Sequence, residues 1–116
     1  MAELDLTSEI RELRSTFADI SQVVDAPKLA AEVLELKEQA SDPNIWDDPA
    51  NAQRVTSHLS QKQAMITKLE SVHTRLDDLE VLIEMANAEG DSAAQAEAKA
   101  ELVGLQSDIS ELEIQT

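Results

Sequence analysis

DPANAQRVTSHLSQKQAMITKLESVHTRLDDLEVLIEMANA, residues 48–88, decides the fold. Apolar side chains recur at Val55, Leu59, Ile66, Leu69, Val72, Leu76, Leu79, Ile83 and Ala86, mostly in steps of three and four, with gaps where Lys62 and His73 fall near the stripe. That period belongs to one face of a helix. Asp48 is a suitable N-cap, and Pro49 occupies the first turn, where a missing N–H costs nothing. No glycine or further proline interrupts the pattern before Gly90, so the spacing predicts one helix over 49–88. At 1.5 Å per residue, roughly 40 residues reach roughly 60 Å. Such a helix cannot bury its stripe alone, so other segments must lie along it.

Working outward, Glu89–Gly90–Asp91 ends the helix, with Gly90 suited to the left-handed position after the last turn. Ser92 and Gln95 form an S-x-x-Q capping box that opens a fourth helix over 92–115. Its seam is Ala98, Leu102, Leu105, Ile109 and Leu112, and so short a turn predicts an antiparallel return along the long helix. Upstream, a first helix over 7–24 carries Leu6, Ile10, Leu13, Phe17, Ile20 and Val24 at strict heptad spacing. Residues 1–6 are expected to fray. Asp25–Ala26–Pro27 breaks that helix, Asp25 caps the next, and a second helix over 27–40 carries Leu29, Val33, Leu36 and Ala40. The predicted fold is all-α: one helical domain over 1–116, built on a long antiparallel hairpin with two shorter helices packed on it. The last helix stops in mid-pattern at Glu113–Ile114–Gln115–Thr116, which suggests a fragment of a longer protein.

The one complex loop is Ser41–Asp48, where two Asp-Pro breakers bracket Ile45 and Trp46. The plainer expectation is that Trp46 plugs the end of the bundle as a hydrophobic staple ahead of Asp48. The sharper one is an exposed anchor for a partner, a role in which tryptophan is enriched.

Composition excludes several classes of function. Nine Lys and Arg against 24 Asp and Glu leave a formal charge of −15, and from Asp77 onward Lys99 is the sole base among 11 acids. Such a surface repels phosphate, which argues against direct nucleic-acid binding and allows a basic protein partner. Without cysteine there is no disulfide framework and no thiolate metal site. No apolar run approaches the length of a membrane span, and the acidic N-terminus lacks the apolar core of a signal peptide.

Catalytic chemistry is hard to find. Glu70 and His73 make a single E-x-x-H, whereas a carboxylate di-metal bundle needs two copies and two further glutamates; His58 stands alone. Asp77, Asp78, Glu80 and Glu84 cluster on successive turns, but acid–base work needs a pocket that shifts their pKa values, so a solvent-facing stripe is expected. Gly90 and Gly104 are isolated, which leaves no phosphate loop. Non-enzymatic, with no cofactor and no metal, is the reading these residues support.

The order of the pieces carries a resemblance. ASDPNIWDDP at 40–49, then Ala52–Gln53–Arg54–Val55–Thr56, RLDDLEVL at 75–82, and an acidic last helix ending LEIQT at 112–116 resemble the N-terminal domain of bacterial class I peptide chain release factors. The tryptophan loop points to the release factor 2 branch. The resemblance spans essentially the whole chain. It implies a cytoplasmic translation termination factor that reads UGA and UAA codons in the ribosomal A site and triggers peptidyl-tRNA hydrolysis. The Ser-Pro-Phe and Gly-Gly-Gln motifs that do this in the family are absent here. The resemblance further implies a non-catalytic module facing the stalk base of the large ribosomal subunit, where a basic ribosomal protein is the expected partner. Candidate contacts are Trp46 and the tip Glu89–Gly90–Asp91. A homodimer through uncovered seams, and a self-standing acidic coiled-coil adaptor, are the alternatives.

Overall fold

The computed structural model describes residues 3–116. Among them are α1 (Thr7–Val24), α2 (Ala26–Ala40), a 3-10 turn (Ile45–Asp47), α3 (Pro49–Glu89) and α4 (Ser92–Gln115), with no strand among the described residues. The fold class is all-α. Helix ends fall within a residue of the predicted ones because capping chemistry marks them. Asp25 adopts a left-handed backbone, φ 58°, and its Oδ1 accepts from the Lys28 N–H; aspartate tolerates this region better than most residues. At the far end of α3, Gly90 is left-handed at φ 61°. Its N–H donates to the Asn87 carbonyl, and the Asp91 N–H donates to the Ala86 carbonyl. Those two bonds are the Schellman closure.

One capping expectation is corrected. Asp91, not Ser92, is the N-cap of α4: its carboxylate accepts from the Ala93 and Ala94 N–H groups at 3.0 and 3.1 Å. A carboxylate one residue upstream outcompetes the hydroxyl and also favours the positive end of the helix dipole. Gln95 is thereby released from the capping box and donates instead to Asn87 Oδ1.

The chain forms two compact units that share α3. In Val24–Glu70, α2 lies along the first half of α3. Leu36, Ile45, Ala52 and Val55 make the buried cluster, with Ala40 and Leu59 against it. Glu32 pairs with Lys62 across the two helices, so low numbers on α2 meet high numbers on α3 and the pair is antiparallel.

The second unit holds the N-terminal stretch up to Val23 together with Ser71–Thr116. Contacts order its helices. Moving up the N-terminal stretch and α1, Leu4 meets Asn87, Arg14 meets Asp77 and Glu80, and Phe17 meets His73. Moving up α4, Gln95 meets Asn87, while Glu101 and Asp108 meet Arg75. Both α1 and α4 therefore run antiparallel to this half of α3. The buried residues of these helices are Ile10, Leu13, Phe17 and Ile20 on α1, Val72, Leu76, Leu79 and Ala86 on α3, and Ala98, Leu102, Leu105, Ile109 and Leu112 on α4.

The N-terminal stretch departs from the expectation of fraying. Met1 and Ala2 lie outside the described residues, but Leu4 is held on both sides. Its N–H donates to Asn87 Oδ1 and its carbonyl accepts from Asn87 Nδ2, each at 2.9 Å. A side-chain amide carries the same donor and acceptor as a peptide group, so Asn87 pairs with the Leu4 backbone as a neighbouring strand would.

Leu76 and Leu79 are at most 1% exposed. Truncating either to alanine removes buried methyl groups and leaves a cavity, an expected loss of about 2–5 kcal/mol. Urea denaturation followed by circular dichroism measures this, and a loss below about 1 kcal/mol at both sites would refute the register of α3.

Candidate functional site

The Trp46 loop is built by local hydrogen bonds. α2 closes with Ser41 donating from its N–H and its hydroxyl to the Lys37 carbonyl. Asp42 Oδ1 accepts from the Asn44 N–H at 2.9 Å, an Asx turn, and the Asp42 carbonyl accepts from Ile45. The Asp47 N–H donates to Asn44 and the Asp48 N–H to Ile45, forming the 3-10 turn. Asp48 then caps α3, accepting from the Asn51 N–H at 3.2 Å. Within that turn Ile45 is buried at 9% and Trp46 is 63% exposed. The staple expectation for Trp46 is thus overturned. Successive residues of a turn point to different sides, and Ile45 fills the place against Leu36, Ala52 and Val55.

The other candidate, Glu89–Gly90–Asp91, is exposed at all three positions. Gly90 has open space where a side chain would sit, and the Asp91 carboxylate is engaged in capping α4. The two candidates lie in different units. No group of three His, Cys, Asp or Glu suited to a metal ion occurs among the described residues.

The acidic stripe of α3 is only partly a solvent face. Arg14 donates from Nε to Glu80 and from an Nη to Asp77, both at 2.8 Å, a long-range pairing the local sequence does not display. The hydrogen bond from Arg14 holds the Asp77 carboxyl below its usual range. On the α4 side, Arg75 bridges Glu101 at 3.0 Å and Asp108 at 2.6 Å. Gly104 lies over that guanidinium, with Arg75 Nη2 at 3.6 Å from where a Cβ would sit. A shallow concavity of about 710 Å³ opens beside Leu4, Leu6, Ile10, Arg14, Glu80 and Ile83. Arg14 and Glu80 at its wall are paired with one another.

Two outcomes follow from these contacts. Because 3.6 Å is ordinary contact, Gly104→Ala should raise stability by about 0.5–1 kcal/mol through helix propensity, read from urea denaturation. Because the folded-state pKa of Asp77 is depressed, its stabilisation is present above the unfolded value of about 3.9 and is lost as pH falls through the lower folded value. Asp77→Asn should therefore melt below the parent at neutral pH, and the gap should close under acid. A gap that persists at the acid end would show that the ion pair is not its source.

Comparison with known proteins completes the description. The PCRF domain matches residues 29–116. Proteins named peptide chain release factor 2 are similar along the chain. The one from Pseudarthrobacter chlorophenolicus is 44% identical over all of this chain and 31% of its own length. That from Streptomyces avermitilis is 44% identical over all of this chain and 32% of its own length. That from Mycobacterium avium is 46% identical over 98% of this chain and 31% of its own length. The chain thus spans about a third of the length of the curated relatives it matches. Matched by that domain over residues 29–116 and 44–46% identical to these relatives along its length, the chain belongs to the PCRF domain family and is related throughout to bacterial proteins named peptide chain release factor 2.

Proposed function

We propose that residues 1–116 constitute the N-terminal domain of a translation termination factor, acting in the cytoplasm as its non-catalytic, ribosome-facing module. The observation that carries this reading is similarity to release factor 2 over essentially the full chain at 44–46% identity. Reading of UGA and UAA codons and hydrolysis of peptidyl-tRNA belong, in this reading, to segments with Ser-Pro-Phe and Gly-Gly-Gln motifs, which this stretch does not contain. No helix among the described residues is long and apolar enough to cross a membrane.

The proposed partner is a basic ribosomal protein at the stalk base of the large subunit, reached through Trp46 or through Glu89, Gly90 and Asp91. The support is electrostatic. A chain with a formal charge of −15 is steered toward positive protein surface and away from exposed rRNA, with an attraction that salt screens.

Cosedimentation with purified ribosomes tests this. The chain should pellet with large subunits at low ionic strength and be released as salt rises past the point where the Debye length falls below about 10 Å. Absence of pelleting at low salt, or equal pelleting with protein-free rRNA, would overturn the reading.

A further inference from the structure

The indole of Trp46 is the largest apolar group in the chain, and it stands 63% exposed on a loop whose backbone is fixed by the Asx turn and the 3-10 turn. A large ring carried on a pre-ordered loop loses little conformational freedom on being covered. The charge around it selects what can cover it. From Lys37 to Arg54 the chain has four carboxylates, on Glu38, Asp42, Asp47 and Asp48, against two bases at its ends, of which Arg54 is bonded to Asn51. Asp48 is committed to its helix cap and Asp42 Oδ1 to the Asn44 N–H. Asp47, next to the ring in sequence, is exposed, and its carboxylate is left for a partner.

That setting repels nucleic-acid phosphate and anionic lipid headgroups, and a second copy of the chain would bring the same negative charge. It attracts a cation with a flat face. An arginine guanidinium stacks on an indole and also donates to carboxylates, which a lysine ammonium does less well. We propose that the Trp46 loop is the docking point for an arginine-bearing segment of a basic protein, with the guanidinium on the indole face and the exposed Asp47 as its carboxylate partner. This deepens, and rests on, the reading of the chain as a protein-docking module, and it favours the loop over the Gly90 tip as the contact.

Trp46 is the only tryptophan, so its fluorescence reports on its own surroundings. The full 116-residue chain is titrated with capped hexa-arginine, hexa-lysine and an oligouridylate, with calorimetry in parallel for variants that lack the indole. The arginine peptide should shift the emission saturably and bind more tightly than the lysine peptide, and the RNA should leave the emission unchanged. Trp46→Ala should weaken the arginine peptide about tenfold, Asp47→Asn should weaken it severalfold, and Glu111→Gln, an exposed position on α4, should bind as the parent does. Circular dichroism checks that each variant keeps its helices. Equal binding by Trp46→Ala and parent would overturn the docking point and mark the attraction as diffuse charge, and an equal response to RNA would overturn the choice of partner. Neither result bears on ribosome cosedimentation, so failure of this inference is distinguishable from failure of the function above.

Discussion

A helix of 41 residues carries more apolar stripe than it can hide, and covering that stripe is the constraint on which the rest depends. α2 covers its first half, and α1 and α4 cover its second. The completeness of the second cover is visible in Leu76, Leu105 and Leu112, each with no solvent exposure. Isolated helices are marginal in water and owe their stability to packing of an amphipathic face. α3 is therefore a product of its neighbours as much as their platform. With one phenylalanine and no tyrosine, the core is made from aliphatic side chains in rows, which suits seams between helices better than a rounded interior.

Charge is arranged around those seams with economy. Three cations, Arg14, Lys62 and Arg75, each join α3 to a different helix. Arg14 and Arg75 each engage two carboxylates. Exposed ion pairs are individually weak, but these fix which helix faces which. Carboxylates outnumber cations 24 to nine, and that excess sets the electrostatic character of the surface.

Most of this was legible in the sequence because helices announce themselves locally. The heptads in α1, α2 and α4 named the buried residues, and Asp25, Asp48 and Gly90 marked where helices start or stop. What escaped was decided between neighbours or at long range. Whether Ile45 or Trp46 turns inward depends on the rotation of one 3-10 turn, which hydrophobicity alone does not encode. Asp91 displaced Ser92 as a cap because two competent residues stood side by side. Ala52, fully buried, went unnoticed because alanine is a weak marker of a core. Arg14 is separated from Asp77 by 63 residues, and Leu4 from Asn87 by 83, distances over which no local pattern operates. The candidate site was half legible. Its residues could be named from the loop, but the exposure that gives Trp46 its interest came only from the fold.

The clamp on the N-terminal stretch has an evolutionary consequence. Asn87 engages the N–H and carbonyl of residue 4, not its side chain. Any residue other than proline at that position would present the same peptide group. Variation should be cheap at position 4 and costly at position 87, where aspartate would lose the donor and glutamine would overreach. Gln95, bonded to the same amide oxygen, should drift with 87 and not with 4. A stretch that looks dispensable by composition is thus attached through its backbone, and its hold is written in a residue far along the chain.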